Sequence, residues 1–83
     1  MQKIIRSPKD FGHLIRHVRK QAGMTQSQLA VRSGVWQETI SKIENGHAGS
    51  KLETIFEILA ALDLEITGQE RSKGSTDDFE DMF

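Results

Sequence analysis

The sequence predicts an all-α fold, a compact bundle of four to five short helices. Three observations predict it. Apolar residues recur at helical spacing in separate stretches, serine or threonine stands at a capping position before several of them, and glycines close them. With 83 residues the chain makes one small domain. Residues 1–67 carry this patterning and residues 68–83 do not, which sets the expected boundary between a folded domain and a tail.

The elements follow in order. Lys3, Ile4, Ile5 and Arg6 make a short β-branched segment that reads as a strand fragment. Ser7 and Pro8 are an N-cap followed by proline at the first helical position. Phe11, Leu14, Ile15 and Val18 then fall at i, i+3, i+4 and i+7, one apolar stripe, and Gly23 stops the helix, giving 8–22. Arg16, Arg19 and Lys20 lie near its C-terminal end, where the helix dipole favours cations. Thr25 and Gln28 form a capping box for a second helix whose inward residues are Leu29 and Ala30. Ser33 and Gly34 make a tight turn, and a third helix covers 37–45 with Val35, Ile40 and Ile43 inward. Ser50 and Glu53 read as another capping box, and Leu52, Ile55, Phe56, Leu59 and Leu62 as the inward stripe of a fourth helix. Ile58 falls beside that stripe and widens it, either as part of a broad core face or as a subunit contact. Leu64, Glu65, Ile66 and Thr67 alternate apolar and polar and read as a brief C-terminal strand. Its open edge needs a partner, either residues 3–6 or the same strand of a second subunit in a dimer.

Composition narrows the function. A chain this small is marginal as a monomer, and with no cysteine it has no disulfide to stabilise it, so oligomerisation is the remaining common device. No apolar run is long enough for a bilayer and the N-terminus lacks an apolar signal core, so the cytoplasm is the expected location and no membrane partner is expected. The net charge is only −1, but it is unevenly spread. Residues 1–32 hold Lys3, Arg6, Lys9, Arg16, Arg19, Lys20 and Arg32 against Asp10 alone. Residues 69–83 hold Glu70, Asp77, Asp78, Glu80 and Asp81 against Arg71 and Lys73. The basic front suits a polyanion; the acidic end is a separate tail. Phe79, Met82 and Phe83 break its polar character and are either a docking segment for a partner protein or an ordinary chain end.

The second and third helices with their tight turn form a helix-turn-helix, TQSQLAVRSGVWQETISKIENG over 25–46. The second helix of such a pair enters the major groove of DNA with its N-terminal side chains leading. Gln37, Glu38 and Ser41 would face the bases, Ser27 would lie at the groove rim, and Gln37 has the donor and acceptor needed to read adenine. Thr25, Gln26, Thr39, Lys42, Asn45 and Lys51 are candidates for backbone phosphates.

This stretch resembles the helix-turn-helix of the Xre / phage-repressor family, whose fold is lambda-repressor-like. With the opening QKIIRSP (2–8) and the ending LDLEIT (62–67), the chain is most similar to HipB-like antitoxins. The resemblance implies that Gln26 touches the DNA backbone and braces Gln37. It further implies a homodimer, paired through the C-terminal strands, that binds a palindromic double-stranded operator and represses its own operon. It also implies a HipA-type serine/threonine kinase toxin as partner. Leu64, Ile66 and Ile58 are the expected dimer contacts, and Phe79, Met82 and Phe83 the expected toxin-docking residues.

Two positions depart from the commonest family pattern. Trp36 stands where a small or polar capping residue is usual; it either packs against the second helix, the favoured reading, or stacks on sugar or meets a thymine methyl as part of the base-reading set. Glu38 is costly near phosphates unless it accepts from cytosine N4, or it pairs with Lys42 at i, i+4. His13 and His17 share a helical spacing that can hold zinc, yet no further ligand completes a site, so neither metal nor cofactor is expected. No nucleophile with a base and no phosphate cradle points to an enzyme. Two other functions stay open: a stand-alone Xre-type regulator without a toxin, and a protein-interaction module that has lost DNA binding.

Overall fold

In a computed structural model the described residues are 3–71, and they form four helices. These are α1 (Pro8–Gln21), α2 (Gln26–Ser33), α3 (Gln37–Glu44) and α4 (Leu52–Ala61). Phe79, Met82 and Phe83 lie outside the described residues.

Local chemistry accounts for the boundaries. The Ser7 hydroxyl accepts the Asp10 N–H at 3.1 Å, Asp10 in turn accepts the Arg6 N–H at 2.9 Å, and Pro8 opens α1. Thr25 and Gln28 form the expected reciprocal box at 3.0 and 2.8 Å. Gly34 closes α2 at φ 75°, a left-handed conformation that glycine adopts without steric cost, and its N–H reaches the Ala30 carbonyl at 2.9 Å. The Ser33 hydroxyl donates to the Leu29 carbonyl at 2.7 Å and accepts the Val35 N–H at 3.2 Å, which stitches the turn into α3. Ser50 does not cap α4: the N-cap is Lys51, which makes no side-chain cap bond.

The core joins Ile15, Leu29, Val35, Ile40, Ile43, Ile58, Leu59, Ala61 and Leu62, with Phe11, Val18, Met24, Ala30, Ile55 and Leu64 packed around it. Burying each of its larger aliphatic side chains contributes about 1.5–3 kcal/mol. α1 packs on α3, and α2 packs on both α3 and α4. Gly12 sets the closeness of the first pair, since a Cβ there would run into the Ile43 carbonyl oxygen and come within 3.0 Å of that of Glu44.

Three expectations are corrected here. The inward face of α4 is rotated from the one the stripe suggested. Ile58 is fully buried while Leu52 and Phe56 are exposed, so Ile58 offers no surface to a second subunit. α4 is apolar on more than one side, and the packing of α2 selects which side turns in. The segment 64–67 carries no strand, and no strand occurs among the described residues. Asp63 turns the chain at φ 55°, and the Leu64 N–H closes onto the Leu59 carbonyl at 2.8 Å. Finally, Trp36 is 83% exposed rather than packed on α2.

Candidate nucleic-acid interface

α3 is amphipathic in a way that fixes what it can present. Ile40, Ile43 and Glu44 are buried, so Gln37, Glu38 and Lys42 are exposed and Thr39 and Ser41 half-buried. Trp36 occupies the N-cap without a side-chain bond to the first turn.

The helix-turn-helix brings Ser27 and Gln37 together: the Ser27 hydroxyl donates to Gln37 Oε1 at 2.9 Å. That bond uses one lone pair of the amide oxygen. The second lone pair and the two Nε2 hydrogens retain the acceptor–donor pattern that matches N6 and N7 of adenine. Fixing the amide beforehand lowers the ordering cost of such a contact.

In the single chain the Gln26 amide bonds Glu44 and not Gln37. Its Nε2 donates to Glu44 Oε1 at 3.1 Å, at the far end of α3. Glu44 also takes two hydrogen bonds from Arg19, at 2.6 Å to Nε and 2.9 Å to Nη2, while Arg19 Nη1 donates to the Met24 carbonyl at 2.8 Å. Three elements thus meet on one buried carboxylate, α1, the start of α2 and the end of α3, and Arg19 ties in the loop after α1 through Met24. Burial pushes the Glu44 carboxyl up. The hydrogen bonds from Arg19 and Gln26, with the charges of Arg19 and Arg16, outweigh it and hold the group below the usual carboxylate range. The hydrogen bond to Glu44 holds the Arg19 guanidinium protonated, above its ordinary value, against the effect of burial. In the sequence Arg19 stands out only as a cation at a helix C-terminus, and Glu44 does not stand out as its partner. A charged residue repeating the inward spacing of Ile40 and Ile43 was the available signal.

The remaining residues are scattered around this frame. Glu38 and Lys42 make the exposed i, i+4 pair at 3.3 Å, so Lys42 carries a counter-charge in the unbound state. Asn45 turns its amide onto the Ser41 carbonyl at 2.9 Å, closing the helix end. Thr25 is engaged in the α2 cap, and Lys51 stands exposed before α4. Leu64 and Ile66 sit away from α3, along a groove of about 530 Å³ that Ile4, Ile5, Phe11 and Leu14 also line. Among the described residues no cluster of His, Cys, Asp and Glu is able to hold a metal ion, and no helix is long and apolar enough to cross a membrane.

A family model described as helix-turn-helix matches residues 15–69. The antitoxin HipB of Escherichia coli strain K12 is 44% identical over 66 residues, which cover 80% of this chain and 74% of that protein. This chain is a member of the HipB family of helix-turn-helix proteins. Solved structures of the family agree with its fold. The HipB–O4 20mer complex matches with a TM-score of 0.79 and 38% identity over 86% of this chain and 100% of that one. The HipA–HipB–O2–O3 complex matches with a TM-score of 0.78 at the same identity and coverage. The match spans the whole of each solved HipB chain, so α1 to α4 and the segment after them are family architecture rather than an isolated motif.

Proposed function

We propose that this protein is a sequence-specific DNA-binding repressor, the antitoxin of a HipA-type serine/threonine kinase, and that it represses its own operon. The observation that carries the reading is the Ser27–Gln37 bond, a base-reading amide held in place on the exposed start of α3. It stands within a chain that matches, along its length, HipB chains solved with O4 20mer and with HipA and O2–O3. The protein has no catalytic role and works in the cytoplasm, where its DNA is.

In this reading Gln37 reads adenine, and Glu38, Ser41, Ser27 and Trp36 face the bases beside it. Thr25, Gln26, Thr39, Lys42, Asn45 and Lys51 hold the phosphates, with Lys42 leaving Glu38 to do so. Two subunits pair along the groove of Leu64 and Ile66, and the strand missing from the single chain forms there against its twin. Such a dimer places two copies of α3 about one helical turn apart, facing a palindrome. Residues 1–67 do this work, and the acidic tail with Phe79, Met82 and Phe83 contributes to the kinase contact.

The test is binding to the DNA upstream of its own gene against scrambled DNA at two salt concentrations. Selective binding that weakens steeply with salt is expected, because released counterions supply much of the affinity. Equal binding to both duplexes would refute base reading and leave a protein-interaction module.

A further inference from the structure

Trp36 is the structure's least economical residue. Its indole is 83% exposed, it gives no hydrogen bond to the first turn of α3, and it packs into no core. It stands directly before Gln37, whose amide Ser27 holds. Val31, one turn along α2 from Ser27, is 86% exposed and lines a shallow apolar depression with Ser27, Gln28 and Arg32. The surface around the reading amide thus carries two exposed apolar side chains, Val31 on α2 and the larger Trp36 at the leading end of α3.

Base edges in the major groove offer donors and acceptors almost everywhere, and the indole has one donor and no acceptor. The apolar feature in that groove is the C5-methyl group of thymine. We infer that Trp36 is a specificity-determining residue that covers a thymine methyl at an A·T pair next to the adenine edge read by Gln37. The inference rests on the DNA-binding reading above and deepens it. The operator then carries a thymine requirement that no hydrogen-bonding residue of α3 supplies. Covering a methyl contributes roughly fourfold in affinity for each one buried. Stacking of the indole on sugar or burial of it under the kinase would leave affinity blind to that methyl.

Deoxyuridine differs from thymidine by this methyl alone, and Trp36 is the single tryptophan in a chain without tyrosine. Two readouts therefore isolate the site. The full-length protein and Trp36→Ala are titrated with the duplex from upstream of the gene, made with thymine or wholly with uracil, and with scrambled DNA. Thermal unfolding confirms that the variant is folded. The expected result is a loss of about fourfold or more for the natural protein on the uracil duplex, little change for Trp36→Ala between the two, and a shift of tryptophan emission on binding the thymine duplex. An equal loss in both proteins would assign the methyl effect to duplex shape and overturn the proposal, as would equal affinity of the natural protein for both duplexes. So would emission that ignores DNA but responds to a HipA-type kinase. Failure of the natural protein to prefer the thymine duplex over scrambled DNA would instead bring down the DNA-binding reading, and this proposal with it.

Discussion

Glu44 and Arg19, 25 residues apart in the chain, form a buried two-bond ion pair that fastens the last turn of α3 to α1. Gln26 adds a third hydrogen bond to the same carboxylate. Among the described residues the start of α3 has no such ion pair: Trp36 makes no side-chain cap bond, and the Gln37 amide takes its hydrogen bond from Ser27.

Removing one partner of this pair leaves the other charge buried and alone. Glu44→Ala should therefore cost about 3–5 kcal/mol of stability, measured by urea unfolding. Arg19→Met with Glu44→Leu should recover most of that loss, since an apolar pair of similar volume carries no desolvation penalty. A Glu44→Ala variant as stable as the natural protein would show that the pair contributes nothing.

The same carboxylate predicts an acid limb in stability. Its folded pKa lies below the ordinary 4.5, so the folded state holds the deprotonated form more tightly than the unfolded state does. The sign follows: this contribution is fully present above the unfolded value and is lost as pH falls through the lower folded one. Unfolding midpoints should hold steady from neutrality down to about pH 5 and then fall, and Glu44→Gln should flatten the fall.

Gly12→Ala should destabilise by about 1–3 kcal/mol, because its methyl has to displace the backbone carbonyls of Ile43 and Glu44. Since those carbonyls end α3, operator affinity should drop with stability. Chemical denaturation and DNA titration of the one variant check both.

Much of this was legible in the sequence, and the parts that were not share a cause. Ser7, Thr25 with Gln28, Gly23 and Gly34 mark helix ends by local chemistry, and the structure keeps each of them. The faces of α1 and α3 followed from their spacing. α4 did not, because Leu52, Ile55, Phe56, Ile58, Leu59 and Leu62 spread over nearly half of its circumference, a face wider than the core takes up, and only the packing of α2 decides between Ile58 and Phe56. The bonds from Ser27 to Gln37 and from Gln26 to Glu44 span 10 and 18 residues and leave no periodic trace.

For base reading, Gln37→Ala should cost about 1–3 kcal/mol on the operator and relax preference at one base pair. Ser27→Ala should act in the same direction but less, by loosening the amide rather than deleting it. Lys42→Ala should weaken operator and random DNA alike, with a shallower salt dependence. Competition titrations separate the three, and an equal loss for Gln37→Ala on both DNAs would contradict its assignment.

Ile66, 58% exposed beside the groove, tests the pairing of subunits. Ile66→Asp should shift the protein toward monomer at micromolar concentration in sedimentation, with helix content preserved. Operator affinity should fall by at least tenfold, as two linked half-sites become one. An unchanged dimer would move the interface elsewhere, with Leu52 and Phe56 the next surface to probe.

The unequal ends of α3 bear on how such a protein changes over generations. The ion pair at its C-terminal turn sets the angle at which the helix stands, while positions 36, 37, 38 and 41 contribute little or nothing to the core. In the proposed base-reading role of these positions, target preference and foldability are thereby written in different residues. If Trp36 and Glu38 read bases as proposed, a lineage can drift to a new operator through them without crossing an unstable intermediate, whereas an altered Glu44 risks the whole fold whatever DNA it faces.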